Sequence, residues 1–165
     1  FPNKESIFNE IIIAQRQNLI ETLQKEIKKH GSTEHKLKSF LKKLIYYSSE
    51  RASLYSISFE VFKEIGEIIE ASYKEFKTSV RLLFESILLE GVKNGELKEH
   101  NSEGFADNIL LYASLLQLKE FQSSNVHSFE EIDFKGIEKR IHFVLDSILS
   151  GLLVKPENNN NQSNI

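Results

Sequence analysis

A chain of 165 residues, 40% hydrophobic and 27% charged, is long enough for one domain with a proper core, since about two-thirds of the unfolded surface is buried at this size. It holds no cysteine, which excludes disulfides, thiol catalysis and thiolate metal sites, and no apolar run approaches the roughly 18 residues of a membrane span. No signal-peptide pattern is present, so a cytoplasmic protein without a membrane partner is expected, and its net charge of −3 divides into nine Lys or Arg against six Glu over residues 1–50 and a balance of −6 over the rest.

The two prolines, Pro2 and Pro156, bracket a stretch without any. Proline in a helix interior costs about 3 kcal/mol, and apolar residues recur through this stretch at helical spacing while period-two alternation is rare. The expected fold is all-α, a bundle of about five or six helices. The first helix is predicted from Lys4 to Lys29, capped by Asn3 and stopped by Gly31, with Phe8, Ile12, Leu19, Leu23 and Ile27 on its broader apolar face. Ser32 or Thr33 caps a second, which turns Leu37, Phe40, Leu41, Leu44 and Ile45 inward. The serine-rich residues 48–58 read as a break holding at most a short helix. A long segment over 59–94 carries Phe62, Tyr73, Phe76, Val80 and Phe84 at helical intervals, with Gly66 as a bend and Asn94-Gly95 as its stop. Asn101 or Ser102 caps the next helix, which runs to about Gln122. From Ile109 to Leu118 this helix is apolar on nearly every side, the pattern of a helix buried all round. After a loop over 123–129, Ser128-Phe129-Glu130-Glu131 matches a capping box and opens a final helix to about Val154. The ten residues from 156 to 165 form a polar, Asn-rich tail with nothing to bury.

Two motifs carry a family resemblance. Phe1-Pro2-Asn3-Lys4-Glu5-Ser6-Ile7-Phe8 resembles the junction between the DNA-reading helix and the first core helix of tetracycline-repressor (TetR) family regulators. Glu90-Gly91-Val92-Lys93-Asn94-Gly95-Glu96-Leu97 resembles the end of that family's long seventh helix. The resemblance implies a ligand-responsive, repressor-type transcriptional regulator whose helix-turn-helix lies upstream of residue 1. Residues 1–3 would then be a remnant of the junction, and residues 4–155 the effector-binding and dimerising domain. The positive first third is the end at which DNA would lie. Lys4, at the start of a capped helix, would contact a DNA phosphate in the intact protein. Operator DNA would be met only through the missing domain.

The resemblance also implies a homodimer built by the last two helices as a four-helix bundle. Its seam is expected from Leu111 and Leu115 on one helix and from Ile141, Val144, Leu145, Ile148, Leu149 and Leu152 on the other, with Ser147, Ser150 and Gly151 allowing close approach. A small, largely apolar effector is expected among the helices at about 34–47, 59–94 and 103–122. Twelve Phe and five Tyr supply aromatic mass, and Phe40, Tyr47, Phe62, Phe84, Tyr112, Leu116 and Gln117 are the expected walls, the tyrosines and the glutamine offering polar handles in an apolar surround. The competing reading of the same aromatics is plain core packing in a helical scaffold dimer that senses nothing.

Chemistry beyond binding has no foothold. The five histidines, at 30, 35, 100, 127 and 142, show no metal-ligand spacing. No Gly-x-Ser-x-Gly elbow or phosphate-cradling glycine loop occurs. Neither an enzyme, a metal nor a cofactor is expected.

Overall fold

The computed structural model describes residues 4–55, 73–123 and 125–156. These form five α-helices: α1 (Lys4–Ile27), α2 (Thr33–Tyr55), α3 (Lys74–Lys93), α4 (Ser102–Phe121) and α5 (Phe134–Leu152), with a single 3-10 turn at Phe129–Glu131 before α5. The only extended pairing among the described residues is an isolated antiparallel bridge between Leu97 and Leu153. The class is all-α.

Helix α2 is the central element and packs on α1, α3 and α5, while α4 lies across α3 and α5. Its inward residues Leu37, Phe40, Leu41 and Ile45 are fully buried, together with Leu23 of α1, Phe84 and Leu88 of α3, and Ile141 and Leu145 of α5. Phe40 meets Phe84 edge-on at 5.4 Å between centroids, and Phe84 meets Phe105 of α4 at 6.3 Å. Edge-to-face contacts of this kind add about 0.5–1.5 kcal/mol to the area the rings bury.

The Glu90–Leu97 motif has a structural explanation at each position. Gly95, at φ +74, takes the left-handed conformation that glycine adopts cheaply. The amides of Glu96 and Gly95 then donate back to Gly91 O and Val92 O at 2.9 and 3.1 Å, the double bond pattern of a Schellman stop. A Cβ on Gly91 would lie 2.6 Å from Thr33 Oγ1, so this glycine is what lets α3 approach the start of α2. The Glu96 carboxylate accepts the free Thr33 amide at 2.8 Å, and Ser32 Oγ accepts that of His35 at 3.2 Å. Two of the four amides left over at the head of α2 are thereby met, one by a negative charge suited to a helix N-terminus. Lys36 reaches Glu90 at 3.1 Å across the same junction. Leu97 is buried beneath it, and the bridge to Leu153 brings the end of α5 into the clamp.

A second polar anchor joins α1 to α2. Glu26 is buried; its carboxylate accepts from Lys29 Nζ at 2.7 Å and from the Ser39 hydroxyl. Burial pushes this carboxyl up, but the hydrogen bonds from Lys29 and Ser39 and the charges of Lys29 and Lys43 outweigh it and hold it below the usual carboxylate range.

Three expectations are corrected. The serine-rich stretch does not break α2, which continues to Tyr55, because a serine costs a helix only a few tenths of a kcal/mol. The final helix begins not at the Ser128 capping box but at Phe134, where the Asp133 carboxylate accepts the Gly136 amide at 2.8 Å. Ser128 caps nothing, and Glu131 instead accepts the His127 amide at 2.6 Å. Ile141, Leu145 and Leu149, expected on a seam between chains, lie in the chain's own core, as the most continuously apolar line of α5 is drawn to the nearest apolar surface. The Gly66 bend and the polar tail from Glu157 onward lie outside the described residues, as do residues 1–3.

Candidate functional site

The cavity that α2, α3 and α4 enclose has a volume of about 240 Å³. Its walls are the first two turns of α3 and one side of α4. Tyr73 comes from the N-cap of α3 and Phe76, Lys77, Thr78, Val80 and Arg81 from α3 itself; from α4 come Asp107, Leu110, Leu111, Ser114 and Gln117; Leu44 of α2 completes the lining. Positions 107, 110, 111, 114 and 117 step by three and four, so one continuous helix face supplies them. The volume exceeds the roughly 150 Å³ that holds a benzene and falls short of the roughly 300 Å³ at which drug-sized sites begin.

Polar groups at the cavity fall into two sets. Arg81 is held by three carboxylates, Glu85 at 2.7 Å, Glu103 at 3.5 Å and Asp107 at 3.6 Å. Lys77 carries its ammonium over the Tyr73 ring, 4.6 Å from the centroid, and no carboxylate among the described residues comes within ion-pair distance of it. The Thr78 and Ser114 hydroxyls donate to the backbone carbonyls of Lys74 and Leu110 in the preceding turns, which leaves their oxygens as acceptors. Gln117 donates its amide to Ile45 O at 3.1 Å.

The first helix touches two wall residues from behind the lining, through Arg16. The Arg16 guanidinium lies 5.2 Å from the centroid of Tyr73 and 5.7 Å from that of Phe76, both wall residues. Burial lowers its pKa, partly offset by Tyr73. One residue before Arg16, Gln15 O of α1 accepts the Tyr47 hydroxyl of α2 at 2.5 Å. Arg16 and Tyr47 thus add side-chain links between the cavity wall, α2 and α1, which also pack along one another.

Of the expected wall residues, Gln117 lines the cavity. Phe40 and Phe84 do not, because their edge-on contact fills the space between α2 and α3. Tyr47, Tyr112 and Leu116 are half-buried against the core, beside the cavity rather than in it. Phe62 lies outside the described residues, and Lys4 opens α1 with a side chain outside the described ones. Sequence reasoning missed Lys77, Arg81, Asp107 and Ser114. Their signal was a mixed polar and apolar line on helices otherwise rich in Leu, Ile and Phe. His142 is half-buried, and its Nε2 has no hydrogen-bond partner. No group of three acidic or histidine residues among the described ones could hold a metal ion, and no helix among them is long and apolar enough to cross a membrane.

A second feature is an uncovered apolar face. Leu111, Leu115 and Leu118 of α4, spaced to share one side, are 57%, 54% and 49% exposed, and Phe143 of α5 is 73% exposed. Ile148 is exposed as well, while Val144 and Leu152 are half-buried. Of the expected seam, these outward positions remain: Leu111, Leu115, Val144, Ile148 and Leu152.

No protein-family model and no curated protein matches the chain. Among solved structures, it is similar to the crystal structure of a transcriptional regulator from Cytophaga hutchinsonii ATCC 33406, with a TM-score of 0.76 and 16% identity over 93% of this chain and 78% of that one. At that identity the likeness is one of fold.

Proposed function

We propose that this chain is the effector-binding and dimerising body of a TetR-like, ligand-responsive transcriptional regulator. The observation that carries the reading is the fold, matched over nearly the whole chain to that of a transcriptional regulator. The Phe1–Phe8 and Glu90–Leu97 motifs, the small walled cavity and the apolar face on α4 and α5 support it. Two copies pair through that face, with Leu111, Leu115, Phe143 and Ile148 at its centre. DNA is met through a part of the protein beyond this chain, with Lys4 beside the phosphate backbone. A ligand on Tyr73 and Phe76 displaces Arg16 and so biases the setting of α1. Such coupling operates only if the ligand binds one setting of α1 better than the other.

The test is oligomeric state combined with one substitution. The chain should sediment as a dimer of twice 19.1 kDa at micromolar concentration. Leu115→Asp should give a folded monomer, because Leu115 is exposed in the single chain. A monomeric parent, or a variant that still dimerises, would remove the face from the reading.

Two observations favour the rival, a helical scaffold dimer without a ligand: Phe40 and Phe84 pack solidly, and the cavity is small. That reading predicts that no small molecule raises the melting temperature.

A further inference from the structure

The geometry points to the chemical class of the effector: a single-ring or similarly small apolar molecule carrying a carboxylate, bound in the α2–α3–α4 cavity with its acid group on Lys77. This rests on the sensor reading and adds the ligand's charge and size. The size follows from the volume of about 240 Å³, which has room for one ring and a short substituent.

The charge follows from what each wall group already has. Three charged side chains line the cavity, Lys77, Arg81 and Asp107, and they differ in whether an opposite charge already meets them. Arg81 and Asp107 are occupied with each other, and Glu85 and Glu103 further satisfy Arg81. Among the described residues, Lys77 has only the Tyr73 ring. A cation over an aromatic face at an exposed site gains less than a charge-assisted hydrogen bond to a carboxylate does. A carboxylate entering beside Tyr73 therefore meets an ammonium already held at the mouth. Leu44, Phe76, Val80 and Leu110 receive the ring.

Benzoate, benzyl alcohol and benzylamine have nearly the same shape and differ in charge, so their effects on the melting temperature of the whole chain separate the possibilities. At ten times its dissociation constant, benzoate should raise the melting temperature by roughly 3–5 °C, with benzyl alcohol weaker. Lys77→Gln should weaken benzoate about tenfold and leave benzyl alcohol unchanged; Lys77 is exposed, so the variant folds. A preference for benzylamine, equal binding of the acid and the alcohol, or benzoate binding indifferent to Lys77→Gln would each overturn the carboxylate assignment while leaving the cavity as a ligand site. No shift with any of the three would take the sensor reading down with it.

Discussion

The two ends of α3 are built to opposite rules. At its C-terminal end, Gly91, Gly95, Glu96 and Leu97 leave little unmet: carbonyls are taken by the Schellman bonds, the Thr33 amide by Glu96, and the space a side chain would need at Gly91 by Thr33 itself. At its N-terminal end, the same helix walls a cavity, and Lys77 stands there with an aromatic ring and, among the described residues, no carboxylate. A closed, polar-satisfied junction resists change, and an end with unspent contacts can respond to a ligand. Function in this fold is accordingly sought where α3 begins, and rigidity where it stops.

The largest expected effect is in the core between the two ends. Phe84→Ala removes a fully buried ring that touches both Phe40 and Phe105, and should cost about 3–5 kcal/mol in urea unfolding. A cost below about 1 kcal/mol would mean that Phe84 borders empty space, and the distinction between filled core and cavity would collapse. Next is the clamp. Gly91→Ala sets a Cβ 2.6 Å from Thr33 Oγ1 and 3.1 Å from Leu97 Cδ1. Threonine is stiff at χ1 and cannot swing clear cheaply, so a loss of about 1–3 kcal/mol is expected. Thr33→Ala in the same chain should recover part of it; a Gly91→Ala variant as stable as the parent would show that the clamp yields.

The contrast also explains what could be read from the residues. Of the clamp, the Asn94-Gly95 stop was legible because its signal is local, whereas the packing of Gly91 on Thr33 and the Glu96 bond to the Thr33 amide join residues far apart in the sequence and were not. The helices were legible for the same reason, since a 3.6-residue period survives without knowledge of any partner. Partner choice was not. Ile141, Leu145 and Leu149 form a faultless apolar line, and nothing in that line distinguishes the chain's own α2 from a second chain. The outward face announces itself less clearly, through Phe143 and the Leu111, Leu115, Leu118 series on a helix apolar on nearly all sides. The choice of aromatics misled: Phe40 and Phe84 pack edge-on and fill the centre, and the walls fell to other rings, Tyr73 and Phe76, with Thr78, Ser114 and the expected Gln117. The start of α5 was misplaced by a few residues because two acceptors compete there, and Asp133 satisfies an amide that Ser128 does not.

The smallest expected effect on stability is at the cavity itself, and it sharpens the comparison most. Ser114 is exposed on α4, lines the cavity, and donates only to Leu110 O in its own helix. Ser114→Trp gives up one local bond of a kind that slightly bends helices and places an indole over the opening. Its melting temperature should stay within about 2 °C of the parent, as surface substitutions ordinarily do, while the shift produced by benzoate should vanish. A variant that loses stability heavily would show that the N-terminal end of α3 is packed as tightly as its C-terminal end. One that keeps its stability and still responds to benzoate would move the binding site elsewhere and leave the cavity a packing gap. Retained stability with a lost response is the result that only an open, ligand-sized site beside Lys77 produces.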